Sequence, residues 1–297
     1  MPKIAYIKKK FTAQTEETIA SAEQIIEQYQ AQGFSLTLRQ LYYQFVARAL
    51  LLNTEAAYNK LGTIVSDARR AGRIDWNAIE DRTRFLRELS SWDDPQSILQ
   101  SARDGYHRDL WATQDVRMEV WIEKDALVGV IEKVCKENDV PFFSCRGYVS
   151  DSEMWRAARR ILRYDQNDQR TIILHLGDHD PSGIDMTRDI KDRLDLFSYG
   201  DVEVRRIALT MEQIEEVQPP PNPAKMTDSR FGSYVAEYGD KSWELDALEP
   251  QYIANLIEEH ILAERDEEKW EEAVAEQEKE REQIADVIER WNELFES

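Results

Sequence analysis

A chain of 297 residues with 42% apolar content can bury one large core or two smaller ones, and two domains are expected. Two cysteines, Cys135 and Cys145, exclude a disulfide framework and read as buried free thiols in a reducing compartment. Net charge is −20 but uneven: residues 241–297 hold 6 basic and 19 acidic side chains, and residues 1–90 hold 13 and 10. The acidic end disfavours strong nonspecific DNA binding, while the first third leaves room for a local basic face.

No apolar run reaches the roughly 18 residues of a membrane helix, and the start MPKIAYIKKK lacks a signal-peptide core. A soluble cytoplasmic protein without a membrane partner is expected, nucleoid-associated if prokaryotic. Residues 11–32 have a helical pattern ended by Gly33. Thr37, with Gln40 completing a capping-box pattern, opens a second helix to about Leu51. A third helix fits 54–71, and RIDWNAIEDRTR after it is short, mixed and partly extended. Three helices and a wing over residues 1–93 resemble a winged helix-turn-helix. Asp94-Pro95 opens a linker helix within 94–116.

From Arg117 the pattern alternates. Strands fit 117–123, 141–145, 171–177 and 202–209, and helices fit 125–138, 152–164, 183–197 and 211–216. The order predicts an α/β domain over 117–218 with a parallel, Rossmann-like sheet and right-handed crossovers. Pro219, Pro220, Pro221 and Pro223 begin a stiff connector and extension over 219–250. Residues 251–297 form an acidic helical tail, solvated over 264–282. Ile284, Val287, Ile288, Trp291 and Leu294 then restore an apolar face that must dock.

The strand TIILHL runs into Asp178 and Asp180, and the earlier strand MEVWIEK carries Glu123. Acids just past the carboxyl ends of parallel strands project into the crevice where α/β sheets bind ligands. In an extended segment Asp178 and Asp180 point the same way. Three such carboxylates make a hard oxygen site suited to Mg²⁺ or Mn²⁺. Pro181-Ser182-Gly183 opens a helix whose N-terminus offers N–H groups to an anion, and Lys124 can balance a phosphate. Helix capping is the competing use of either aspartate.

A Glu after a first strand and a DxD after a later one resemble the Toprim signature. More narrowly, VWIEKDAL, SCRGYVSD and GDHDPSGIDM resemble the topoisomerase VI A subunit and its meiotic double-strand-break relative, over about residues 35–215. The resemblance implies Mg²⁺ ligation by Glu123, Asp178 and Asp180, with Asp185 a further candidate. It also implies a nucleophilic tyrosine in a motif like Arg39-Gln40-Leu41-Tyr42-Tyr43. At about 100° per residue, Leu38, Leu41, Tyr42, Phe45 and Ala49 share one face, so Tyr42 belongs to the core and Tyr43 lies off the apolar stripe. Arg39 precedes Tyr43 by one turn, so both can meet one phosphate. The second tyrosine is the nucleophile that the resemblance implies.

The expected function is a Mg²⁺-dependent DNA-cleaving transesterase, with Arg39 and Glu123 assisting Tyr43. The resemblance implies a homodimer on double-stranded DNA, with tyrosine and metal site from different subunits, and an ATPase B-type partner; this chain has no P-loop of its own. Two alternatives stand: a Toprim nuclease using water, and a non-enzymatic DNA-binding or assembly protein with a relict site. Arg69, Arg70, Arg73, Arg82, Arg84 and Arg87 are the candidate DNA-backbone surface. Lys124 and Arg146, with Lys225 and Arg230 more remotely, are further phosphate contacts. His175 and His179 keep a histidine-rich metal site in view.

Overall fold

The computed structural model describes residues 3–80, 89–200, 202–224 and 226–291. Arg82, Arg84, Arg87, Lys225 and Leu294, all singled out above, lie outside the described residues, as does part of the expected wing.

Three helices open the chain. Helix α1 (Ala13–Ala31) starts where the Thr12 hydroxyl accepts from the Thr15 N–H. Its Ile19, Ala22, Ile25, Ile26 and Tyr29 are buried at helical spacing. Helix α2 (Leu38–Ala47) has the expected Thr37–Gln40 capping box but stops at Ala47, four residues early. Helix α3 (Glu55–Arg70) is capped by Thr54 and buries Leu61, Val65 and Ala68. Leu36 and Ile79 form a lone parallel bridge beside them. Helix α4 (Pro95–Asp104) follows, with Asp94 as its cap.

The mixed α/β expectation and its parallel sheet hold. Strands β1 (Val116–Ile122), β2 (Phe142–Ser144), β3 (Arg170–Leu176) and β4 (Glu203–Ala208) pair in the order β2-β1-β3-β4, all parallel. The crossovers are α5 (Val128–Glu137), α6 (Asp151–Asp165) and α7 (Pro181–Ser198). The chain leaves β1 toward β2 on one side, then crosses back to β3 on the other. This makes the β1/β3 boundary a topological switch point, where the connections part and open a crevice at the carboxyl ends.

Both sheet faces are apolar because both are covered. Trp121 and Ile173 pack with Met154, Ala157 and Ile161 of α6 and Ile190 and Leu194 of α7. On the opposite face Val120, Ile122, Leu174 and Leu176 join Ile131 of α5 and one continuous cluster that reaches Leu41 and Phe45 of α2. The N-terminal helices therefore share a core with the sheet.

After helix α8 (Met211–Val217), the proline segment is not a bare connector. Asn222–Pro223 (β5) pairs antiparallel with Lys241–Ser242 (β6), and the unexpected helix α9 (Phe231–Tyr238) lies between them. Helices α10 (Pro250–Glu264) and α11 (Glu267–Glu289) form the acidic end. Most of α11 is exposed, yet it docks earlier than its composition predicts. Trp270 packs edge-on to Trp111 at 6.0 Å, and Gln277 Oε1 accepts from the Arg108 N–H at 2.8 Å.

Candidate active site at the carboxyl end of the sheet

The β1–β3 register ends at the pair Ile122–Leu176. The next residue, Glu123, donates its N–H to the Leu176 carbonyl at 2.8 Å and accepts from the Asp178 N–H at 2.9 Å through Oε2. Glu123 and the DxD segment thus meet at the switch point, where the strand-end argument placed them. Gly183 permits the tight entry into α7, since a Cβ there would lie 2.2 Å from the Asp178 carbonyl oxygen.

The two aspartates do not share one partner, as simple alternation predicts. Asp178 turns toward Lys124 (Nζ–Oδ1 2.8 Å) and accepts from the Leu245 N–H at 2.8 Å. Asp180 caps α7, accepting from Gly183 N–H at 2.7 Å and the Ser182 hydroxyl at 2.9 Å. The capping role is realised because the helix begins at Pro181, immediately after it. Among the described residues, no group of three or more His, Cys, Asp or Glu side chains is gathered to hold a metal ion. These bonds occupy one oxygen of each acid and leave Oε1 of Glu123 and Oδ2 of Asp178 and of Asp180 outside them.

Burial dominates the electrostatics. It holds the Glu123 carboxyl above its ordinary range, against the Asp178 N–H and the Lys124 charge. It raises Asp178 likewise, with Lys124 opposing and Glu123 and Glu244 reinforcing. Desolvation of the charged carboxylate is the common leading cause.

Helix α2 brings the tyrosine to this site. Arg39 and Tyr43 stand one turn apart, with the guanidinium 5.5 Å from the Tyr43 ring centre and Nη2 3.5 Å from its hydroxyl. Arg39 also donates through Nε to Asp246 Oδ2 at 2.6 Å and through Nη2 to Glu244 Oε2 at 3.1 Å. Lys124 binds the same Glu244 oxygen and lies 3.4 Å from Asp246 Oδ2. One ionic network therefore runs from Tyr43 through Arg39, Glu244, Asp246 and Lys124 to Asp178. It lies within one chain, whereas the resemblance implies tyrosine and acids from different subunits.

Tyr43 is buried, contrary to its position off the apolar stripe, because the turn at Leu245–Ala247 packs against α2. Burial, with the Glu244 charge adding and Arg39 and Lys124 opposing, pushes its hydroxyl up to about 12. The hydroxyls nevertheless separate the pair. Tyr42 accepts from the Thr54 N–H at 2.7 Å and sits 3.2 Å from the Leu52 carbonyl, a purely structural tie.

Three participants escaped the sequence reading. Glu244 and Asp246 repeat the two-apart acid spacing in WELDAL, a signal that was present but had no strand to anchor it. Arg206, a cation within β4, clamps the DxD loop by donating to the carbonyls of Gly177 at 2.9 Å, Asp178 at 2.6 Å and Gly183 at 2.9 Å. Burial lowers it to about 10, although Glu123, Asp178 and Asp180 oppose the shift.

Other candidates lie apart. Asp185 accepts from the Tyr148 hydroxyl at 2.6 Å and from Arg230 at 2.8 Å, in a separate network. Arg146 pairs with Asp125 at 3.0 Å on the rim. Arg69 donates to the Trp76 carbonyl at 2.5 Å and Arg73 pairs with Glu16 at 2.7 Å, while Arg70 is exposed. Lys124 is enclosed by acids. His175 and His179 are buried on Thr187 and Tyr234, each at 2.8 Å. Compared with known proteins, the chain matches no family model, no curated protein and no solved structure.

Proposed function

We propose that this chain cleaves DNA phosphodiesters by transesterification at a Toprim-like site, as its resemblance to the topoisomerase VI A subunit implies. The observation that carries the reading is the network that joins the Tyr43 hydroxyl, through Arg39, Asp246 and Lys124, to Asp178 past the end of β3, whose backbone N–H binds Glu123. Nucleophile, cation and carboxylates then converge without a second chain.

In this reading Arg39 binds a phosphate oxygen and orients Tyr43 beneath it. The Tyr43 oxygen attacks phosphorus, its proton leaves, and the departing deoxyribose oxygen takes a proton, so bond energy is conserved in a phosphotyrosine link. Lys124 balances the charge that gathers on the phosphate oxygens. Glu123, Asp178 and Asp180 would hold Mg²⁺ or Mn²⁺, which when bound supplies positive charge against the pentacovalent phosphorus. Their donor chemistry fits a hard cation in that three carboxylates each keep an oxygen outside the bonds described. As they stand, the three are not gathered into an ion-holding group. Homodimerisation would set two such centres across a duplex, and strand passage would require an ATPase partner.

The second reading is hydrolysis by water. Its support is the burial of Tyr43 and a hydroxyl at about 12, which leaves little phenolate at neutral pH. Incubation with labelled supercoiled DNA and Mg²⁺, stopped by detergent, separates the two. A covalent adduct that disappears in Tyr43→Phe supports transesterification. Cleavage that survives Tyr43→Phe and is lost in Glu123→Ala makes the chain a nuclease. Absence of cleavage under every condition favours the non-enzymatic reading.

A further inference from the structure

Arg39 and Lys124 converge on a single carboxylate oxygen, Oε2 of Glu244. Both also touch Asp246 Oδ2, at 2.6 and 3.4 Å, but the two acids differ in burial. The Asp246 side chain is fully covered, whereas Glu244 is 25% and Arg39 46% exposed. Asp246 therefore anchors Arg39 from inside, Asp178 and Asp246 anchor Lys124, and Glu244 covers both cations at the solvent edge.

The backbone around Glu244 is held on both sides. Trp243 exchanges two hydrogen bonds with His179, at 2.9 and 3.0 Å, and the Leu245 N–H binds Asp178. The Glu244 carboxylate, 25% exposed at the end of a two-carbon stem, is the part of this segment that a rotation about its own side-chain bonds can move while the flanking backbone bonds hold. An anionic oxygen taking charge-assisted bonds from a guanidinium and an ammonium is also what a nonbridging phosphate oxygen requires.

We infer that Arg39 and Lys124 form a phosphate subsite occupied in the resting chain by the protein's own Glu244 carboxylate, which a nucleic-acid phosphodiester displaces. The inference rests on the nucleic-acid reading above and adds to it an internal competitor for the substrate. Asp246 keeps Arg39 in place, and Asp178 with Asp246 keeps Lys124 in place, after Glu244 swings out, so the subsite persists when it is exposed.

Binding of a short fluorescent DNA duplex, followed by anisotropy with chelator present, tests the inference apart from cleavage. Glu244→Gln removes the competing charge and is expected to tighten binding roughly fivefold to tenfold at low salt. It is also expected to steepen the dependence of log K on log salt by about one to two phosphate contacts. Glu137→Gln, on the 60%-exposed Glu137 of α5, makes the same change in net charge at a distance. The gain should be absent from Glu137→Gln and lost in the double variant Arg39→Gln/Glu244→Gln. Equal gains in the two single variants, or a gain that survives loss of Arg39, would overturn the subsite while leaving DNA binding intact. Failure of wild type and Glu244→Gln alike to bind DNA would overturn the nucleic-acid reading as well.

Discussion

Arg39 and Asp246, 207 positions apart, meet at 2.6 Å between Nε and Oδ2 and fasten the N-terminal helices to the end of the sheet. Asp246 is fully covered at its side chain, and its second oxygen is buried without a hydrogen-bond partner. Removing a partner from a fully buried pair costs about 3–5 kcal/mol. Because Arg39 is 46% exposed, solvent screening lowers that figure. Asp246→Ala is expected to destabilise the fold by about 1–3 kcal/mol in urea denaturation. No loss of stability would show that the contact does not hold the helices.

Gly183 and Gly232 form a matched pair. A Cβ at Gly183 would lie 2.2 Å from backbone of the DxD segment, while one at Gly232 in α9 meets nothing within 4 Å. Gly183→Ala should cost at least about 2 kcal/mol and disturb the site. Gly232→Ala should be neutral or stabilising by about 0.5–1 kcal/mol. Thermal unfolding of both variants checks the contrast.

The two tyrosines should separate in the same way. Tyr42→Phe removes the hydroxyl that shares the Thr54 N–H with the Leu52 carbonyl and is expected to cost about 0.5–1.5 kcal/mol while sparing any DNA adduct. Tyr43→Phe loses one long contact to Arg39 and should retain stability within about 0.5 kcal/mol while abolishing the adduct. An adduct that persists in Tyr43→Phe removes Tyr43 from the chemistry.

His175 predicts an acid limb in stability. Burial, with the Arg206 charge adding, lowers its pKa from 6.5 to about 3. The unfolded chain takes up this proton near 6.5 and the folded chain near 3, so its contribution is complete above pH 6.5 and is lost as pH falls toward 3. The slope is about 1.4 kcal/mol per pH unit for one proton. Glu123 and Asp178 have the opposite sign, since their raised values stabilise at low pH and lose that effect as pH rises. The His175 contribution is therefore read as the difference between wild type and His175→Phe in denaturation between pH 4 and 7. Parallel curves for the two proteins would contradict it.

Much of the architecture was legible in local pattern. The Thr37–Gln40 box, the Asp94 cap, the four strands and their alternation with helices depend on hydrogen bonds and periodicities within a few residues. The small β5–β6 pair was not legible, because pairing Asn222 with Ser242 requires a long return of the chain. Helix α9 between them carries aromatic residues that do not announce a helix on their own. The docked face of α11 was also hidden, since Trp270 acquires its meaning from Trp111 far upstream.

For the candidate site, sequence determined that Glu123 and the DxD segment stand just past strand ends, since period and order dictate a parallel sheet. Tertiary structure decided that these strands are neighbours, that Asp180 caps a helix, and that Tyr43 lies buried against Leu245–Ala247. It also decided that Glu244 and Asp246 hold both cations between tyrosine and acids. Strand-end placement follows from local hydrogen bonding, whereas charge pairing across hundreds of residues depends on which buried surfaces pack together, and no local pattern encodes that.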